Sequence, residues 1–150
     1  MNAQTRIFTK RAPTPWHLWF VALLAVLWNG FGALTYLAFH WPIEGLLADY
    51  SAAEQAFLEA MPLWANAAWA IGVWFALAAS LVLLFRRRWA VGLFAISLLG
   101  MVATSIRNFI FADGLEVVGT NGAILAGAVF LVGVVLLAYS RAMARRRVLH

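Results

Sequence analysis

The chain reads as an all-α membrane protein, a bundle of four transmembrane helices, and three observations carry that reading. Hydrophobic residues make up 65% of its 150 positions and charged residues 11%, with a mean hydropathy of +0.85. Soluble domains average about 45–50% apolar and about 25% charged. Four apolar stretches, 16–39, 63–85, 89–111 and 122–139, hold no acidic residue and a single basic one, Arg107. At about 1.5 Å per residue each can cross a hydrocarbon core of about 30 Å. The remaining charge is sorted between the connecting segments by sign.

That sorting orients the helices. Arg6, Lys10 and Arg11 precede the first stretch, Arg86, Arg87 and Arg88 join the second to the third, and Arg141, Arg145, Arg146 and Arg147 follow the fourth. All six acidic residues fall in the other two loops: Glu44, Asp49, Glu54 and Glu59, then Asp113 and Glu116. Basic residues close to helix ends stay in the cytoplasm. Both ends of the chain and the turn at 86–88 are therefore expected inside, and the acidic loops outside. The net charge of +5 and the pI near 10.8 then reflect topological anchoring with some attraction to anionic lipid. No nucleic-acid partner is expected, and the lipid bilayer is the expected environment.

Residues 1–15 carry Pro13 and Pro15 and lack apolar periodicity, so they read as a flexible basic cytoplasmic arm. The transmembrane domain is expected over 16–143 and a basic cytoplasmic tail over 144–150. The first stretch is longer than the roughly 7–15 residues of a signal h-region and reads as a retained helix, with Pro15 suited to its first turn. Trp16, Trp19, Trp41, Trp64 and Trp89 fall near span ends, where interfacial aromatic belts lie. Trp28, Trp69 and Trp74 lie deeper.

The first outer loop predicts a short amphipathic helix. Ser51 followed by Glu54 fits a capping box, and Leu46, Tyr50, Ala53, Phe57 and Met61 recur at helical spacing. Gln55 and Glu59 are expected on the opposite face. Such a helix would lie on the membrane surface or close the bundle. In the second span, Ala68, Gly72, Ala76 and Ser80 form a small-residue stripe that permits close helix approach. Its expected partner is a neighbouring helix of the same bundle. Gly92 and Gly100, with Ala123, Gly127 and Gly133, offer weaker counterparts.

Few polar residues remain in or near the spans. Asn29 lies near the middle of the first. Ser97, Thr104 and Asn108 run along the third with Arg107 beside them, and Asn66 begins the second. Arg107, Asn108, Asn66, Asn29 and Thr104 are the candidates for an outward-facing polar vestibule. The alternative is that each bonds a neighbouring helix. Arg107, near the outer end of its span, could snorkel to water or pair with Asp113 or Glu116.

Several chemistries are disfavoured. No span carries the embedded glutamate of small proton-coupled multidrug exporters. The absence of cysteine removes thiol redox and thiolate metal sites. His17 and His40 stand at opposite ends of one helix, which does not suit bis-histidine haem. No H-E-x-x-H, G-x-S-x-G or Walker-type motif occurs, so neither a metal nor another cofactor is expected.

The segment Leu27-Trp28-Asn29-Gly30-Phe31-Gly32-Ala33-Leu34-Thr35-Tyr36, the acidic loop ending in Met61-Pro62, and Arg87-Arg88-Trp89-Ala90-Val91 leading into Ser97-Leu98-Leu99-Gly100 resemble a group of small bacterial membrane proteins. That group has four predicted helices and is often labelled "sugar transporter" or "hypothetical". The resemblance runs from about Trp16 to Phe111 and implies a bacterial inner-membrane protein. The function expected is non-enzymatic: association as a small subunit or accessory factor, with a protein partner or a second copy of the chain. The alternative is a small-solute transporter or binder that works as an oligomer around the vestibule.

Overall fold

The computed structural model describes residues 13–41, 45, 47, 48 and 50–150. Its elements are α1 (Trp16–His40), α2 (Ala52–Glu59), α3 (Leu63–Leu84), α4 (Trp89–Ile106), a π-helical turn (Arg107–Phe111) that continues α4, and α5 (Gly114–Arg145). Four of these units, α1, α3, α4 with its π turn, and α5, are long and apolar enough to cross a membrane. The protein is an all-α, multi-pass membrane protein. Most of the arm expected at 1–15, with Arg6, Lys10 and Arg11, lies outside the described residues, as do Pro42, Glu44, Leu46 and Asp49.

The central pair is α3 and α4; α1 packs on α3, and α5 packs on α4. The small-residue stripe of α3 accounts for the closeness of that pair. Ala68, Gly72, Ala76 and Ser80 are all buried, and the backbone of α4 at Gly100 runs directly against Ala68 and Gly72. A Cβ on Gly100 would stand 2.6 Å from Ala68 O and 2.7 Å from Gly72 N. Ser97 Oγ seals the same contact, donating to Gly72 O at 2.6 Å. In lipid, where apolar burial drives little association, such close packing and interhelical hydrogen bonding hold helices together.

The main core sits at the end of the bundle that carries the turn at 86–88. Leu18, Ala22 and Ala25 of α1 meet Ala79 and Leu83 of α3, Ala90 and Phe94 of α4, and Leu136, Leu137 and Met143 of α5. At the same end His17 Nδ1 and the Tyr139 hydroxyl lie 2.6 Å apart, tying the start of α1 to α5.

Toward the α2 end α5 loses this cover, with no buried residue from 115 to 135. The helix begins earlier than the apolar stretch at 122–139 implies, at Gly114, and breaks its helical path at Gly119 (φ 63°, ψ −172°). That conformation is open essentially to glycine alone. The polar run Thr120-Asn121-Gly122 therefore follows a kink within α5, and Glu116 lies on the short helical segment before it.

Beyond α5 the basic tail expected at 144–150 does not simply extend into solvent. Both α3 and α5 end in a Schellman-type turn. Arg87 N donates to Val82 O and Val148 N to Met143 O, each at 3.0 Å, with Arg86 (φ 59°) and Arg147 (φ 57°) in the left-handed position. The motif brings the residue after that position against the helix it closes. Val148 and Leu149 are accordingly buried in the core. His150 N donates to Arg86 O at 2.9 Å, and Arg88 N to His150 O at 3.0 Å.

Helix α2 starts with the capping box that its sequence predicts. Ser51 Oγ accepts from Glu54 N (3.2 Å), and Glu54 Oε2 accepts from Ser51 N (2.8 Å). Gln55, expected on the face opposite the apolar stripe, is half-buried. Its amide folds back and donates to Tyr50 O at 3.0 Å, which ties the first turn of α2 to the residue before its N-cap. The Ser51 backbone and side-chain hydrogen bonds hold the Glu54 carboxyl below the ordinary value of 4.5. A depressed carboxylate stabilises the fold above that ordinary value, and the contribution disappears as pH falls through the lowered one. Protection of the α2 amides against hydrogen exchange is expected to fall in that acid range. In Ser51→Ala the protection should be weaker at neutral pH and its acid dependence smaller.

Candidate functional site

The polar candidates form three separate groups. The first lies inside the bundle. Asn29 Nδ2 donates across the α1–α3 interface to Ser80 Oγ at 2.9 Å and within α1 to Ala25 O at 2.9 Å. Ser80 Oγ passes its own hydrogen to Ala76 O at 2.8 Å. Thr104 Oγ1 donates to Gly100 O at 3.0 Å, within its own helix. Each of these side chains satisfies itself on a neighbouring helix or the preceding turn.

The second group lies where α1 ends and α3 begins. His40 Nδ1 is 2.8 Å from Tyr36 O. A carbonyl only accepts, so Nδ1 carries the hydrogen and Nε2 is left with its lone pair. That lone pair accepts from Asn66 Nδ2 at 3.1 Å, and Asn66 Oδ1 accepts from the Tyr36 hydroxyl at 3.4 Å. The Tyr36 and His40 rings stack with centroids 4.2 Å apart. Trp69 meets Tyr36 edge-on at 4.9 Å and Phe39 at 5.9 Å. The site is polar, aromatic and open at His40, which is exposed.

The third group centres on Arg107, which is 6% exposed. Its Nη2 donates to Phe57 O and its Nη1 to Asn108 Oδ1, both at 3.2 Å. The guanidinium carbon lies 4.3 Å from the centroid of the Phe57 ring. Phe57 lies in the last turn of α2, so the cation meets the negative end of that helix and an aromatic face. Its described partners are thus a carbonyl, an amide and a ring, not Asp113 or Glu116. Gly114 completes the joint: a side chain there would collide with the Asn108 carbonyl and crowd the Phe57 ring edge.

Arg107 and Asn108 therefore come together, Asn66 joins His40 and Tyr36, and Asn29 and Thr104 lie apart from both. Sequence reasoning did not single out Tyr36 as a partner of Asn66, Trp69 as a neighbour of Tyr36 and His40, or Phe57 as the seat of Arg107. The available signal was spacing: Tyr36 and His40 are four residues apart, on one helical face. Among the described residues no cluster of histidine and carboxylate side chains could hold a metal ion. No family model, curated protein or solved structure matches the chain.

Proposed function

We propose that the protein is a non-enzymatic component of the bacterial inner membrane, with both ends in the cytoplasm, that works by association as a small subunit or accessory factor. The observation that supports this most is the use of its embedded polar groups. Asn29, Ser80, Ser97 and Thr104 each hold helices together or bond their own helix, which leaves the helix surfaces as the material for function. α5 offers one such surface, with no buried residue from 115 to 135. The sorting of basic and acidic segments supports the orientation, and the resemblance of residues 16–111 to small bacterial membrane proteins supports the location.

Native purification in mild detergent tests the reading. The expected particle contains this chain and one partner, or several copies of the chain, at fixed stoichiometry. A monomer that moves or binds a solute in liposomes would contradict it. The second reading, a small-solute binder or carrier, rests on the exposed His40–Asn66–Tyr36 group, and His40→Ala should then abolish uptake in protein that remains folded.

A further inference from the structure

The three arginines between α3 and α4 are treated differently by the fold. Arg86 is committed to the C-terminal segment: its Nη2 donates to Val148 O at 3.4 Å, and its carbonyl accepts from His150 N. Arg87 and Arg88 are exposed, and neither guanidinium has a hydrogen-bond or ion-pair partner among the described residues. Together with Trp89, His150, Val82 and Leu93 they line a cleft of about 470 Å³.

The lining divides along the membrane normal. Arg87 and Arg88 belong to the turn, whereas Val82 and Leu93 lie within α3 and α4. A turn that joins two spans sits at a membrane surface whichever way the chain is inserted. The guanidiniums thus lie at headgroup depth and the two aliphatic side chains at the start of the acyl region. Trp89, 79% exposed, is of the residue type that settles between these layers. The first turn of α4 contains no acidic residue, and His150 reaches the cleft with its backbone oxygen accepting from Arg88 N at 3.0 Å. Paired guanidiniums match the planar two-pronged contact that phosphate oxygens accept. A soluble phosphate would use only the mouth of the cleft. A molecule carrying both phosphate and acyl chains would use all of it.

We propose that this cleft binds the phosphate headgroup of an anionic phospholipid, with Arg87 and Arg88 on the phosphate and an acyl chain along Val82 and Leu93. The test is thermal melting of the full chain in a neutral detergent with added dioleoyl phosphatidylglycerol, dioleoyl phosphatidylcholine or inorganic phosphate. At about a hundredfold excess over its dissociation constant, phosphatidylglycerol should raise the melting temperature by about 5–10 °C. The other two should leave it unchanged. Arg87→Gln with Arg88→Gln should abolish the shift, and the double lysine variant, which keeps the charge needed for insertion, should lose about half of it. Arg141→Gln with Arg145→Gln removes two exposed charges near the end of α5 and should retain the full shift. An equal shift with inorganic phosphate would overturn the lipid assignment. A loss in the Arg141/Arg145 variant as large as in the Arg87/Arg88 variant would replace the cleft with diffuse surface charge.

Discussion

Gly100→Ala is expected to destabilise the protein by about 3 kcal/mol, at the upper end of ordinary overpacking, and to lower its melting temperature in detergent by about 6–12 °C. The added methyl would stand 2.6 Å from Ala68 O, 2.7 Å from Gly72 N and 3.1 Å from Gly72 Cα. All three are backbone atoms of α3, so no rotamer change relieves the collision and the helices must separate. Separation also stretches the hydrogen bond from Ser97 to Gly72 O. Gly72→Ala is the internal control. Its methyl would first meet Met101 Cγ at 3.2 Å, the middle of a flexible side chain that can yield, so its effect should be less than half as large. Gly72→Leu exceeds what Met101 can yield and should resemble Gly100→Ala. Equal melting of the parent and Gly100→Ala would place the α3–α4 contact elsewhere.

Arg107→Ala is expected to release α2 from the bundle. The substitution deletes the donor to Phe57 O, the donor to Asn108 Oδ1 and the cation over the Phe57 ring. A hydrogen bond that involves a charged group contributes about 1.5–3 kcal/mol, and the loss of the one to Phe57, with the cation over its ring, falls on a helix of eight residues with no buried side chain of its own. Hydrogen exchange at the amides of residues 56–60 should accelerate by about two orders of magnitude, since about 1.4 kcal/mol is tenfold. Exchange in α1 and α3 should change little. Arg107→Lys should recover only part of the protection, because one ammonium cannot span the Phe57 carbonyl and the Asn108 amide while covering the ring. Full protection in the lysine variant would reduce Arg107 to a simple interfacial cation.

The parts of the fold governed by local chemistry were legible in the sequence. Apolar length marked the spans to within a residue at α1 and α3, and the Ser51–Glu54 spacing marked the start of α2. The stripe from Ala68 to Ser80 marked a face that the structure buries against α4 and α1. What escaped depends on backbone conformation or on distant pairing. Gly119 reads as one more glycine in a polar run, and only its left-handed conformation turns that run into a kink. Val148 and Leu149 are two apolar residues among arginines, and they enter the core because Arg147 takes the left-handed position of a helix-closing turn. Arg107 stood out as a charge in a span. Its acceptor, the Phe57 carbonyl, lies 50 residues away and carries no side-chain signature. Asn66 and His40 were each visible at helix ends, but their pairing requires the α1–α3 register.

The orientation of the four spans is tested most directly by reporter fusions. Reporters joined after Arg88 and after His150 should be active only in their cytoplasmic form, and one inserted at Ser51 only in its exported form. An exported signal after Arg88 would contradict both the proposed orientation and the assignment of the basic turn to the inner membrane surface.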